Sequence, residues 1–145
     1  AVNGSNLLKS WNFTGIPLIL SFLVLVTMLN MCMTSGSSKW LIFAPIFVPM
    51  FYSIGLSPAF TQLCYRVGDT MTNPIAPINY YLPIVLGVMS QYKKPEDPEF
   101  GMGTLISMNL PYSISYVIVL VPMLIIWYLL NLPIGPGATI FVPGM

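Results

Sequence analysis

The chain has 145 residues, 56% of them hydrophobic and only 6% charged, with a formal net charge of +1. A soluble domain carries about 25% charged residues, so there is too little polar surface here to cover a water-soluble particle, and the composition is that of an integral membrane protein or part of one. The small charge is no nucleic-acid footprint, the lack of histidine removes the usual zinc and general-base constellations, and Cys32 and Cys64 form no disulfide or metal pattern.

The opening stretch, AVNGSNLLKSW, has Lys9 but no signal-peptide layout, and a chain starting at Ala1 reads as part of a longer protein. Charge-free runs then organise the sequence: 10–38, 40–65, 70–92 and 100–145. Each exceeds the ~20 residues that a helix needs to cross a ~30 Å hydrocarbon core. The run TGIPLILSFLVLVTMLNMCMT predicts a helix over Ile16–Met33, ended by the small polar turn TSGSSK. The next helix, Trp40 to Ile54, carries Pro45 and Pro49 and stops near Gly55. At ~1.5 Å per residue it is ~22 Å long, short of the core thickness. A short, proline-broken helix after a small polar turn predicts a re-entrant hairpin over 12–55; two ordinary spans joined by a tight loop are the alternative. Polar backbone at membrane depth must line a protein-buried or wet cavity, and small hydroxyl residues suit that lining.

Ser57 is a candidate N-cap, with Pro58 at the first helical position of SPAFTQLCYRVGDTMT. The stretch NPIAP then interrupts this helix. Pro74 removes a donor and disfavours helical geometry at Asn73, and Pro77 does so again. The helix resumes through INYYLPIVLGVMSQY, with tyrosines at both ends where interfacial rings belong. Residues 57–91 therefore read as a discontinuous transmembrane helix, with Pro58, Pro74 and Pro77 as its helix-breaking residues. A polar loop, 92–101, holds Lys93, Lys94, Glu96, Asp97 and Glu99, and its lysines favour a cytoplasmic face. The last transmembrane helix covers 102–132, with Pro111 and Pro122 as candidate kinks, and the Gly/Pro-rich tail after it reads as irregular. The expected fold is an all-α integral membrane protein: a re-entrant helical hairpin, a discontinuous transmembrane helix and a final transmembrane helix.

The chemistry concentrates at CYRVGDTMTNPIAP. Arg66 and Asp69 are three apart and share a helix face, which Asn73 extends four residues on. A charge within the bilayer costs ~2.5–3.5 kcal/mol even on the lenient insertion scale, so such residues pair or serve a site. An Arg66–Asp69 pair that only holds helices together is the plain reading. The adjacent helix break favours a substrate or ion site, because unwound backbone and half-helix ends bring partial charges to one depth. In that site Arg66 holds a carboxylate in a forked geometry, and Asp69 binds a proton or pairs with a cation. Thr70, Thr72 and Asn73 add neutral oxygens. The hairpin supplies Asn30, Ser35, Ser37, Ser38 and Trp40, the last of these to stack on an aromatic group or to anchor at an interface. Substrate binding is thus expected at Asn30, Ser37, Trp40, Arg66, Asp69 and Asn73, and ion coupling at Asp69, Ser35 and Thr72. No metal and no cofactor is expected beyond a proton or sodium as coupling ion.

Through SGSSKWLIFAPIFVPM, SPAFTQLCYRVGDTMTNPIAP, GTLISMNLPYSISY and IWYLLNLPIGPG, the sequence resembles the AbgT family of p-aminobenzoyl-glutamate transporters. The resemblance covers nearly the whole chain and implies the C-terminal part of such a transporter. The family pattern falls on Asn30, Ser37, Trp40, Pro58, Arg66, Asp69 and Pro77. It further implies a multi-pass protein of the bacterial inner membrane, dimeric at full length and lipid-embedded. The implied activity is transport of p-aminobenzoyl-glutamate or efflux of sulfonamide antimetabolites, not enzymatic chemistry. Three rival readings are weaker. An intramembrane aspartyl protease needs two carboxylates, and Asp69 alone lies in an apolar run. A water channel needs a second Asn-Pro-Ala-like copy, which is missing. A dicarboxylate–sodium symporter shares the hairpin-plus-broken-helix logic and is the closest rival.

Overall fold

The computed structural model describes residues 15–33 and 35–142. Five helices follow in order: α1 (Ile16–Cys32), α2 (Gly36–Tyr52), α3 (Pro58–Thr72), α4 (Tyr81–Gln91) and α5 (Met102–Leu129), with a 3-10 turn at Asn73–Ile75 between α3 and α4. Among the described residues the regular structure is all helical, apart from isolated bridges.

Helix α1 buries Leu18, Ile19, Phe22, Leu23, Val26 and Asn30. Those positions recur at helical spacing, so they form one stripe with a single polar member at its C-terminal end. The stripe lies on α3. Close approach there depends on Gly68: a Cβ at that position would lie 3.1 Å from Val26 Cβ and 3.3 Å from the Leu23 carbonyl oxygen. Phe22 also meets Phe47 and Phe51 of α2, with ring centroids 4.8 and 5.0 Å apart.

Two expectations about α2 change. The segment TSGSSK is not wholly a turn, because α2 begins at Gly36 and its first turn absorbs Ser37, Ser38 and Lys39. Ser35 is the N-cap and accepts from the Ser38 amide, so a hydroxyl satisfies one of the free amides that a helix start leaves. Pro45 and Pro49 lie inside the helix without breaking it. Each removes one ladder donor, and the aromatic packing of Phe43, Phe47 and Phe51 runs alongside the gap. The 17-residue helix is ~25 Å long, still below ~30 Å.

Pro58 opens α3 rather than breaking it: Ser57 caps the helix and accepts from the Phe60 amide at 3.2 Å. The break is at Asn73–Ile75, after which Ala76 is extended and buried. In a continuous helix the Asn73 carbonyl would accept from residue 77, but residue 77 is proline. The Asn79 side-chain amide donates to that carbonyl instead, at 3.2 Å. Helix α5 packs along α3, the 3-10 turn and α4, and Pro111 and Pro122 stay within its helical run.

The irregular tail is docked. The Ser57 amide donates to the Ile140 carbonyl at 2.8 Å and the Val142 amide to the Gly55 carbonyl at 2.9 Å. Ile140 is fully buried, and Tyr128 of α5 packs between Phe60 and Phe141. This strap closes the α2–α3 corner, a helix length (~25 Å) from the other end of α2.

Gly68→Ala is expected to lower the melting temperature of the full-length protein in detergent, at a cost of about 1–3 kcal/mol for overpacking α1 on α3. Gly87→Ala, where a Cβ meets nothing within 4 Å, is the control; equal melting of the two variants would deny the tight α1–α3 contact.

Candidate functional site

The C-terminal end of α1, the first turn of α2 and the C-terminal end of α3 with its break converge on one buried polar cluster. Its centre is Lys39, which has no exposed surface. The Lys39 ammonium donates to Asp69 Oδ1 at 2.5 Å and to Asn30 Oδ1. Asn30 is also fully buried. Its Nδ2 donates to the Asp69 carbonyl at 3.1 Å, to Thr72 Oγ1 at 3.1 Å and to Asn73 Oδ1 at 3.5 Å. The amide is therefore held one way round, nitrogen toward the break and oxygen toward the ammonium.

The ion pair differs from the one expected. Among the described residues Lys39, not Arg66, pairs with Asp69, and Arg66 has no carboxylate oxygen within 4.0 Å. The reason is direction. Asp69 belongs to the stripe that α3 buries against its neighbours, whereas Arg66 sits on the exposed side of the same helix. The two meet only at Gly36: a Cβ there would lie 2.9 Å from Asp69 Oδ2 and 3.3 Å from Arg66 Nη1. Gly36 thus lets the N-terminal end of α2, with its partial positive charge, approach the carboxylate. Two side-chain cations and one helix N-terminus surround a single anion, so the cluster carries a formal excess of one positive charge.

The other expected residues divide. Asn30, Asp69, Thr72 and Asn73 are brought together by the asparagine's bonds. Ser35, Ser37 and Ser38 are exposed and outside the cluster; the Ser35 hydroxyl donates to Ser38 Oγ at 2.9 Å as part of the cap. Thr70 is exposed and donates back to the Arg66 carbonyl at 2.8 Å. Trp40 packs against Tyr65, centroids 5.0 Å apart and tilted by 40°. Tyr65, which the sequence reading passed over, donates its phenol proton to the Gly36 carbonyl at 2.6 Å and so ties α3 to the start of α2. Lys39 was legible: it is the only charge between Lys9 and Arg66, but it looked like a turn residue. Pro74 borders a cavity of about 300 Å³ with Asn73, Asn79, Tyr80 and Tyr81. Pro77 is exposed beside it.

The profile of the AbgT putative transporter family matches residues 1–142. The chain belongs to that family. It is 42% identical over 137 residues to the p-aminobenzoyl-glutamate transport protein of Escherichia coli, a match covering 94% of this chain and 26% of that protein. The fold is similar to that of the Alcanivorax borkumensis YdaH transporter, with a TM-score of 0.86 at 39% identity over 93% of this chain and 28% of the other. It is also similar to Neisseria gonorrhoeae MtrF, described within a class of antimetabolite efflux pumps, with a TM-score of 0.79 at 39% identity over 95% of this chain and 27% of the other. The chain therefore spans about a quarter of the length of these relatives. These relatives are named as transport proteins, and the family is described as a putative transporter family.

The Lys39 pairing determines what loss of the carboxylate does. Asp69→Asn leaves an ammonium buried without a counter-charge, and breaking a buried pair from one side costs about 3–5 kcal/mol. Asp69→Asn is expected to melt well below the parent, and the double variant Lys39→Met/Asp69→Asn to recover most of the difference. Additive losses in that double-mutant cycle would show that the two side chains do not interact.

Proposed function

We propose that the full-length protein is a secondary active transporter of aromatic carboxylates of the p-aminobenzoyl-glutamate class, with sulfonamide-like antimetabolites as a cargo for export, driven by an ion gradient across the bacterial inner membrane. The observation that carries this reading is the division of labour between the two cations. Lys39 neutralises Asp69, which leaves the Arg66 guanidinium beside the cluster free to grip a carboxylate through two parallel N–H bonds. Asn73 borders both the cluster and the cavity lined by Tyr80 and Tyr81. An aromatic ring in that cavity would lie on tyrosine faces while its carboxylate reached toward the positive end.

In this reading α1 and α2 form a re-entrant hairpin whose tip, around Ser35–Lys39, lies at membrane depth. Burial of Lys39 at the tip supports it, since a lysine in an ordinary external loop would face water. The α3–break–α4 segment is the discontinuous transmembrane helix and α5 the last one, the only described helix with both the length and the apolar character to cross a membrane. The full-length protein is proposed to be a homodimer embedded in lipid. A dicarboxylate–sodium symporter is the rival, separated by competition: succinate should fail to displace labelled p-aminobenzoyl-glutamate.

Arg66→Lys keeps the charge and loses the fork. It is expected to weaken p-aminobenzoyl-glutamate binding to the purified full-length protein by about 1–3 kcal/mol, the scale of a charged hydrogen bond. Its melting temperature should change little, because Arg66 is not the partner of Asp69. Unchanged affinity would remove Arg66 from substrate recognition. For the hairpin, Ser37→Cys should react with membrane-impermeant thiol reagent in a manner that depends on substrate and gradient; labelling from one side regardless of transport state would make the tip an external loop.

A further inference from the structure

We infer that Lys39 is a built-in cation: its ammonium fills a position that the surrounding oxygens would otherwise offer to a sodium ion, and so makes this site sodium-independent. The inference deepens the transport reading and rests on it for its biological meaning, but its chemistry stands on the cluster alone.

The ammonium is held between Asn30 Oδ1 from α1 and Asp69 Oδ1 from α3. Both oxygens aim inward for reasons independent of Lys39. Asn30 Nδ2 is committed to the Asp69 carbonyl, Thr72 Oγ1 and Asn73 Oδ1, which turns its oxygen the other way. Asp69 lies on the buried stripe of α3, with Oδ2 against Gly36. A carboxylate oxygen and an amide oxygen brought from two helices to one point, next to an interrupted helix, are hard ligands of the kind that bind hard cations. Here the cation comes attached to α2 and cannot leave.

Its presence excludes a second one. Asp69 is the only carboxylate in the cluster, and Lys39 uses it. Arg66 Nη1 borders the same glycine, and the N-terminal end of α2 adds partial positive charge. A sodium ion entering beside the ammonium would meet two like charges and no free anion. Removing the ammonium reverses this. A neutral side chain at residue 39 leaves Asp69 buried and unpaired, with Asn30 Oδ1 already oriented beside it, and a small monovalent cation then relieves the stranded charge. Residue 39 is on this account the determinant of whether the cluster takes a sodium ion.

The test reads sodium binding without requiring transport. Melting temperatures of the purified full-length protein are compared in sodium chloride and in choline chloride at equal ionic strength. The parent should show no difference between the two salts. Lys39→Gln should melt lower than the parent in choline chloride and rise saturably with sodium, and Lys39→Gln/Asp69→Asn should lose that response. If Lys39→Gln is recovered folded only when purified in sodium, the inference is supported; if sodium does not rescue it, the inference fails. A sodium-dependent rise in the parent that Asp69→Asn abolishes would also overturn it. Failure here leaves the transport reading untouched, because that reading is decided by p-aminobenzoyl-glutamate binding and its dependence on Arg66.

Discussion

A lysine with no exposed surface, on the first turn of a helix in a chain this apolar, constrains everything around it. Removing an ammonium from water is expensive, and the cost is offset only where a carboxylate and further oxygens meet it. Lys39 satisfies this condition by drawing on two other helices at once, through Asn30 of α1 and Asp69 of α3. The three chain segments are therefore locked in register at that end. The close fit of Val26 on Gly68 favours one register of α1 on α3, and Asn30 has partners at only that position, because its amide also bridges to Thr72 and Asn73. The polar cluster reinforces the register, and the apolar contacts supply the bulk of the attraction.

Small residues and prolines make the cluster geometrically possible. Gly68 lets α1 lie close on α3, and Gly36 lets the start of α2 reach the Asp69 carboxylate. Either methyl would push a helix away from the charges it must meet. Pro77 withholds the amide that would have continued the helix past Asn73, and the Asn79 side chain takes over that carbonyl. That carbonyl is thus partnered despite the break, as irregular backbone in an apolar setting requires. At the opposite end of α2 the tail strap, through Ser57, Ile140 and Val142, fixes the α2–α3 corner. Helix α2 is held at both ends, by charge at one and by backbone hydrogen bonds of the adjoining corner at the other.

The electrostatic consequence is a local excess of positive charge. A site with one anion and two cations has a net attraction for a negative group, and the cation not engaged with Asp69 is the one with a planar, bidentate donor set. Had Arg66 paired with Asp69, the cluster would have been a neutral clamp with Lys39 as the spare charge, a compact donor poorly suited to orienting a carboxylate. Which cation takes the internal carboxylate decides which one is left without an internal counter-charge.

The sequence by itself determined the membrane class, the helical character, the position of the break at Asn73–Pro74 and the family. These follow from composition, from apolar runs, from prolines that lack an amide, and from long motifs, all of which act locally along the chain. It also marked Asn30, Asp69, Thr72 and Asn73 as polar residues out of place in an apolar setting. Only the tertiary structure decided who partners whom. Arg66 and Asp69 are neighbours on one helix, which made their pairing look natural, yet α3 turns one toward α1 and α2 and the other away. Lys39 is thirty residues from Asp69 in sequence, and only the Ser35 cap, which starts α2 at Gly36, places it on a helix instead of in the TSGSSK turn. Likewise the tail looked irregular, and no local rule could say that it docks on residues 55–57. Propensity and patterning act over a few residues; a buried charge finds its partner only when distant segments are packed together, and that is settled by the fold.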